Sequence, residues 1–102
     1  MIPELARHQE ELEQLCLGHH VKRLDLFGSA AAGTYRQGES DLDFLVDFEP
    51  LPAGAYADTY FCLLEALERL FGKPVDLVVA SAIKNLYLRQ SIERSRASLY
   101  AA

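Results

Sequence analysis

Hydrophobic residues recur along the chain at two spacings, one typical of helices and the other typical of strands. Helical spacing covers residues 3–17, which end before Gly18, and residues 55–71, which end before Gly72. The apolar positions predicted to be buried in these two helices are Leu5, Leu12, Leu15, Cys16, Phe61, Leu64, Leu67, Leu70 and Phe71. Another helix is predicted from residue 82 to about residue 100, with candidate buried positions at Ile83, Leu86, Leu88, Ile92 and Leu99.

Three segments between these helices carry the composition of strands. Residues 21–27 form a short strand that places Leu24 and Leu26 on one face and ends at Gly28. Residues 41–48 form the most convincing apolar strand, and a third strand covers residues 74–79. A short helix beginning at Ser29, a residue type that caps helices well, is predicted between the first two strands. The element order predicts an α/β (α+β) fold with a small mixed sheet of about three to four strands and helices mainly on one face.

Composition limits the class of ligand that the protein is expected to bind and the cellular compartment in which we expect it. Half of the 102 residues are hydrophobic, which predicts one compact domain spanning residues 1–102. The net charge of -5 and the lack of a clustered basic surface argue against a nucleic-acid polymer as ligand. No apolar run in the sequence is long enough to span a membrane, and Cys16 and Cys62 lack a motif spacing. We expect a soluble cytoplasmic protein with both thiols reduced, in or near the core.

Paired acids at the start of the second predicted strand indicate a metal site. Residues two apart in a strand point to the same side, so Asp41 and Asp43 are predicted to project together. Two such carboxylates are unfavourable beside an apolar sheet unless one is protonated or a cation lies between them, and we favour Mg²⁺ or Mn²⁺. Asp76, inside the third apolar strand, completes a three-carboxylate cluster if the two strands are neighbours. That cluster can hold two metals, or hold one and accept a proton from an attacking hydroxyl.

The Gly28-Ser29 turn is a candidate phosphate site because a strand there gives way to a short helix. Backbone N–H groups and the Ser29 hydroxyl can face a phosphate at the positive end of that helix. A Gly-Ser dipeptide alone is a weak signal, since such dipeptides are common in loops. Its proximity in sequence to the paired acids strengthens the interpretation.

The combined pattern resembles the signature of the DNA-polymerase-beta-type nucleotidyltransferase superfamily, and especially the small bacterial MNT proteins, which are antitoxin partners of HEPN toxins. The matching residues are Leu26-Phe27-Gly28-Ser29, Gly33 and the Ser-Asp-Leu-Asp-Phe-Leu-Val run at 40–46. The resemblance continues through residues 74–78 and 84–100, and so covers nearly the whole chain. It implies the nucleotidyltransferase (polymerase-beta palm) fold.

The resemblance also implies a role for each matching residue. Gly28 and Ser29 are expected to bind the triphosphate of ATP, with Ser40 as a secondary phosphate contact. Asp41, Asp43 and Asp76 are expected to be catalytic and to hold Mg²⁺ or Mn²⁺, with two ions per site. The implied reaction is transfer of AMP to a hydroxyl on a partner protein, by analogy a tyrosine of a HEPN toxin, because no residues remain to build an acceptor domain.

Two departures from the family pattern leave other interpretations open. Eleven residues separate Ser29 from Asp41, one more than is usual, and Ala32 stands where many relatives carry Arg. An alternative is therefore a non-catalytic antitoxin that neutralises its partner by occlusion. Both interpretations are compatible with self-association or subunit contact through the last predicted helix. The residues predicted at that interface are Leu86, Leu88, Ile92 and Leu99.

The remaining polar candidates are assigned no chemistry. Asp25 and Asp47 match no family position and are predicted to be solvated. His8, His19 and His20 show no ligand spacing and are predicted to lie at the surface.

Overall fold

The centre of the sheet is an antiparallel pair formed by β1 (Val21–Phe27) and β2 (Leu42–Phe48). On one side β2 pairs in parallel with β3 (Val75–Val79), and on the other β1 pairs antiparallel with β4 (Ala97–Ala101). The computed structural model describes residues 3–28, 31 and 41–102, and gives the strand order β3-β2-β1-β4. The predicted small mixed sheet is confirmed.

Four helices are formed by the described residues: α1 (Pro3–Arg7), α2 (Gln9–Gly18), α3 (Tyr56–Phe71) and α4 (Leu86–Ser95). The first predicted helix is divided at His8, so that α1 and α2 are separate elements. A parallel strand pair needs a long crossover, and α3 provides it between β2 and β3. It ends as predicted at Gly72, whose φ of 66° is accessible to glycine without steric cost.

The hydrophobic core lies between one face of the sheet and the helices α1 to α3. Every second residue of β2 contributes to it, because alternate side chains of a strand share a face. Its fully buried members include Leu5, Leu12, Cys16, Leu24, Leu42, Phe44, Val46, Leu63 and Leu67. Three of the four helices thus cover one face, which agrees with the predicted arrangement.

The second face of the sheet carries α4. Leu45 of β2 and Ile92 of α4 are both almost fully buried, and both line a cavity of about 200 Å³. The other residues lining this cavity are Ala80, Ile83, Arg89, Glu93 and Arg96. The sheet is therefore packed on both faces, although the second layer is thinner.

The C-terminal region differs from its prediction as one long helix. The helix α4 ends at Ser95, and the following residues form the edge strand β4 against β1. Leu99 is buried, as predicted, but as part of a strand, and Leu86 and Leu88 are 65% and 42% exposed. The prediction failed because pairing with a strand more than seventy residues away is not a local property of the sequence.

Two buried positions predicted near α3 are also wrong. Phe61 is 57% exposed, because Leu63 and Leu67 define the face that the helix buries. Cys62 is exposed beside Phe61, whereas Cys16 is buried as predicted. Within the described residues, no helix is both long and apolar enough to cross a membrane.

Candidate functional site

The strand register brings the predicted acids of β2 and β3 together. Asp43 is the direct partner of Asp76 in the parallel β2–β3 pair, so the two side chains emerge on the same face of the sheet. Asp41 immediately precedes β2 and is exposed, as is Asp76, whereas Asp43 is half-buried. Asp43 is therefore the central acid of the site.

The electrostatic environment of Asp43 disfavours its charged form. Burial raises the pKa of its carboxyl group, and the negative charges of Asp76 and Asp41 raise this pKa further. Neighbouring carboxylates of like charge repel each other, and either a bound proton or a bound cation relieves this repulsion. Asp43 therefore lies within the electrostatic influence of both other acids.

Gly28 lies against Asp43 at the end of β1. Phe27 is the strand partner of Asp43, and the chain leaves β1 at Gly28 with a φ of 73°. A Cβ at this glycine would lie 3.1 Å from Cγ of Asp43 and would overlap its Oδ2 atom. Both the backbone conformation and this close approach require glycine, and the predicted turn residue Gly28 is in direct proximity to the predicted acid Asp43.

The turn is also connected to α4. The backbone N–H of Gly28 donates a hydrogen bond to Oγ of Ser95, at 3.2 Å, across 67 residues of sequence. Ser95 was not among the predicted site residues, because nothing in the sequence near it indicates contact with Gly28.

Other residues predicted for the site lie outside the described part of the chain. These are Ser29 and Ser40; Gly33 of the matching pattern, Ala32 and most of the short helix predicted to begin at Ser29 also lie outside it. The structure brings Gly28, Asp43 and Asp76 together, with Asp41 at the near end of β2. The assignments of Ser29 and Ser40 stay predictions.

The donor set suits a hard divalent cation that is shared with a phosphate ligand. Mg²⁺ in nucleotide sites is commonly held by one or two carboxylates plus phosphate oxygens and water, and the acids here present only oxygen. Among residues 3–28, 31 and 41–102, no three His, Cys, Asp or Glu side chains converge closely enough to hold a metal by themselves. The register supplies the Asp43–Asp76 pair, and phosphate oxygens and water would have to supply the further ligands that such a cation needs.

Asp25 was wrongly predicted to be solvated. Its side chain is fully buried on the face of β1 opposite the main core, where it forms ion pairs with Arg23 and Arg96. The Nε atom of Arg23 lies 3.1 Å from Oδ2 of Asp25, and Nη1 of Arg96 lies 2.5 Å from Glu93. Burial alone would lower the pKa of Arg96, but hydrogen bonds and charges from Asp25 and Glu93 raise it. The sequence signal was an acid between two leucines of the first strand.

Tyr60 is a further residue near the acids that the sequence did not identify. Its hydroxyl donates to the backbone carbonyl of Leu77, at 2.6 Å, in the strand that carries Asp76. Burial raises the pKa of Tyr60, and the charge of Asp76 raises it further. Tyr60 thus ties α3 to the strand that positions the third acid.

Comparison with known proteins agrees with this geometry. Residues 5–99 match the family model of the nucleotidyltransferase domain. The protein adenylyltransferase MntA of Thermococcus cleftensis is 37% identical over 81 residues, which cover 79% of this chain and 75% of that protein.

Solved structures show the same fold. One described as a candidate minimal nucleotidyltransferase superposes with a TM-score of 0.73 at 35% identity, covering 91% of this chain and 90% of that chain. A chain from the complex of the tri-AMPylated HEPN toxin and MNT antitoxin of Shewanella oneidensis superposes with a TM-score of 0.66, covering 95% and 72% of the two chains. At 17% identity this second likeness shows the fold alone. Together, the match over residues 5–99 and the placement of Gly28 beside the acids show that this chain belongs to the nucleotidyltransferase domain family, as a relative of the MntA-type enzymes.

Proposed function

We propose that this enzyme transfers AMP from ATP to a hydroxyl group on a partner protein, namely a tyrosine of a HEPN-type toxin, and that it thereby acts as the antitoxin of the pair. The observation that carries the proposal is the close approach of Gly28 to Asp43, which is itself paired with Asp76. A glycine turn that admits a triphosphate next to two carboxylates is the arrangement that nucleotidyl transfer requires. Family membership restricts the chemistry to that class.

In the proposed reaction the acceptor oxygen attacks the α-phosphorus of ATP in line with the departing pyrophosphate. A bond forms between that oxygen and the α-phosphorus, and the bond from the α-phosphorus to the bridging oxygen of the pyrophosphate breaks. Asp76 accepts the proton released by the acceptor hydroxyl. Divalent metal, when bound, supplies charge neutralisation of the triphosphate.

Metal binding and orientation of the triphosphate are assigned to different residues of the chain. Asp41 and Asp43 hold the divalent ions, and Gly28 with Ser29 orients the triphosphate, so that the α-phosphorus faces the acids. Positioning supplies much of the rate acceleration in such transfers, since the reacting groups are held in line. Burial and then the charges of Asp76 and Asp41 raise the pKa of Asp43, and a cation at this place would relieve the charge repulsion.

The surface around the acids suits an acceptor that is presented by another protein. The described cavity on the acids' side of the sheet, about 200 Å³, is smaller than the pockets that usually enclose a drug-sized acceptor. An acceptor tyrosine presented by another protein needs only an open approach to the acids, and Asp41 and Asp76 are exposed. The MntA-type relative is named for adenylylation of protein, and the Shewanella complex contains a tri-AMPylated toxin.

The proposal is tested by incubating the protein with Mg²⁺, each of the four NTPs in turn and the co-encoded HEPN-type protein, followed by intact-mass measurement. We expect one or more AMP groups on the partner with ATP, lost with Asp43→Asn and with omission of the metal. Asp47→Asn is the matched control, because Asp47 lies on the same strand and is assigned no ligand role. An unchanged partner mass under all conditions contradicts the proposal.

The same variants separate transfer from occlusion. If transfer silences the toxin, the double variant Asp41→Asn with Asp43→Asn loses neutralisation in a growth assay. Neutralisation that survives in the double variant, with a stable complex and no added mass, shows that occlusion is sufficient.

A further inference from the structure

The end of α4 is attached to β1 at two adjacent positions. Ser95, the last residue of the helix, accepts the hydrogen bond from the Gly28 N–H, and Arg96, the next residue, pairs with the fully buried Asp25. The two contacts join β1 to a segment about seventy residues away in sequence. They fix the position of the Ser95 hydroxyl relative to the turn.

The backbone of Gly28 depends on Ser95 because the strand ladder ends one residue earlier. The last β1–β2 register pair is Phe27 with Asp43, so no β2 backbone partner is provided for the turn itself. Gly28 lies against the Asp43 side chain, and its N–H donates a hydrogen bond to the hydroxyl of Ser95. The Ser95 hydroxyl in turn donates to the carbonyl of Ser91, at 3.5 Å, which orients its lone pairs toward the turn.

From this geometry we infer that Ser95 is a positioning residue for the triphosphate-binding turn, an inference that rests on the proposed function. The hydroxyl holds the Gly28 peptide in the orientation from which the chain enters the Gly-Ser turn beside Asp43. Ser95 does not touch the reacting atoms. Its loss therefore weakens the binding of the triphosphate and leaves the chemistry at Asp43 and Asp76 intact.

The test measures binding of α,β-methylene ATP with Mg²⁺ by calorimetry, together with kcat and KM for ATP, in Ser95→Ala, Ser95→Thr and Ser91→Ala. We expect Ser95→Ala to raise the dissociation constant and KM by roughly three- to tenfold, the scale of one lost hydrogen bond, with kcat within about twofold of wild type. Ser95→Thr keeps the hydroxyl and is expected to restore most of the affinity. Ser91→Ala is the matched control, because the exposed Ser91 contributes its backbone carbonyl and not its side chain.

Amide hydrogen exchange at Gly28 provides a readout that does not depend on nucleotide. The inference expects faster exchange at Gly28 in Ser95→Ala than in Ser91→Ala, because only the former loses the acceptor. Equal nucleotide affinity in wild type and Ser95→Ala, or an equal loss in Ser91→Ala, overturns the inference while the proposed function stands. A wild-type protein that binds no nucleotide overturns both, whereas loss of transfer in Asp43→Asn alone supports the function and not the role of Ser95.

Discussion

Gly28 and Asp43 approach each other so closely that no side chain fits between them. The turn at the end of β1 has a left-handed backbone, and Cγ of Asp43 lies 3.1 Å from the place where a Cβ would stand. Under the proposed function, this proximity lets the turn and the carboxylate act on the same bound nucleotide. The glycine is therefore needed for space as well as for conformation.

Replacement of Gly28 by alanine is expected to cost more than replacement of Gly54, although both have positive φ values, 73° and 85°. The backbone cost of about 1 to 2 kcal/mol is common to both positions. Only Gly28 adds a collision with Asp43, worth roughly 1 to 3 kcal/mol, because nothing lies within 4 Å of a Cβ at Gly54. The free energy of unfolding in urea measures the difference.

A double-variant cycle assigns that difference to its cause. In the Asp43→Ala background the colliding oxygen is absent, so Gly28→Ala should then cost about as much as Gly54→Ala. An undiminished cost in that background would show that the collision with Asp43 is not responsible.

Asp25→Asn is expected to lower the free energy of unfolding by roughly 3 kcal/mol, because it removes the buried partner of Arg23 and Arg96. Asp47→Asn, on the adjacent strand and only half-buried, is the control and should change stability by less than about 1 kcal/mol. Urea denaturation of the three proteins checks both values. Equal stability of wild type and Asp25→Asn would mean that the arginines are not held by Asp25.

The stability of the protein is expected to fall in alkaline solution because of Cys16. Burial, and to a smaller extent the charge of Glu13, raises the pKa of this thiol from 9.0 to about 12. Between these values the unfolded chain is ionised at this position and the folded chain is not, so the folded state binds more protons and loses stability as pH rises. The contribution is complete below about pH 9 and is lost by about pH 12.

Urea denaturation of wild type and Cys16→Ala from about pH 8 to about pH 11, which covers the lower part of the titration, measures this contribution. The variant should show the shallower decline. Alkylation supplies an independent check, since native protein treated with iodoacetamide should gain one group at the exposed Cys62, and a second only after unfolding. Two groups on the native protein would contradict the buried, neutral thiol.

The helix α4 is expected to be held by Ile92 and not by its exposed leucines. Ile92→Ala should cost about 2 to 4 kcal/mol, because Ile92 is 2% exposed and packs on the sheet face that carries Leu45. Leu86→Ala, at a residue 65% exposed, should change the free energy of unfolding by less than about 0.5 kcal/mol. A larger effect at Leu86 would show that this leucine is buried in solution, for example in self-association.

The sequence by itself determined the elements whose residues are neighbours along the chain. Helical spacing located α2 and α3, and apolar runs located β1, β2 and β3. The spacing of Asp41 and Asp43 in the predicted strand singled out these acids, although β2 itself begins at Leu42. These patterns are local, because the side-chain period of a helix or strand is set by its own backbone geometry. The glycine requirement at the end of β1 is local in the same sense, since the turn itself demands a positive φ.

Only the tertiary structure decided which distant segments meet. It turned residues 97–101 from a predicted helix into a strand, because pairing with β1 supplies their hydrogen bonds. It buried Asp25 because Arg96, 71 residues later, provides the compensating charge. It placed Ser95 on Gly28 across 67 residues. No short-range pattern encodes these contacts, because the free energy that stabilises each one comes from two parts of the chain that become neighbours only when the sheet and α4 have packed together.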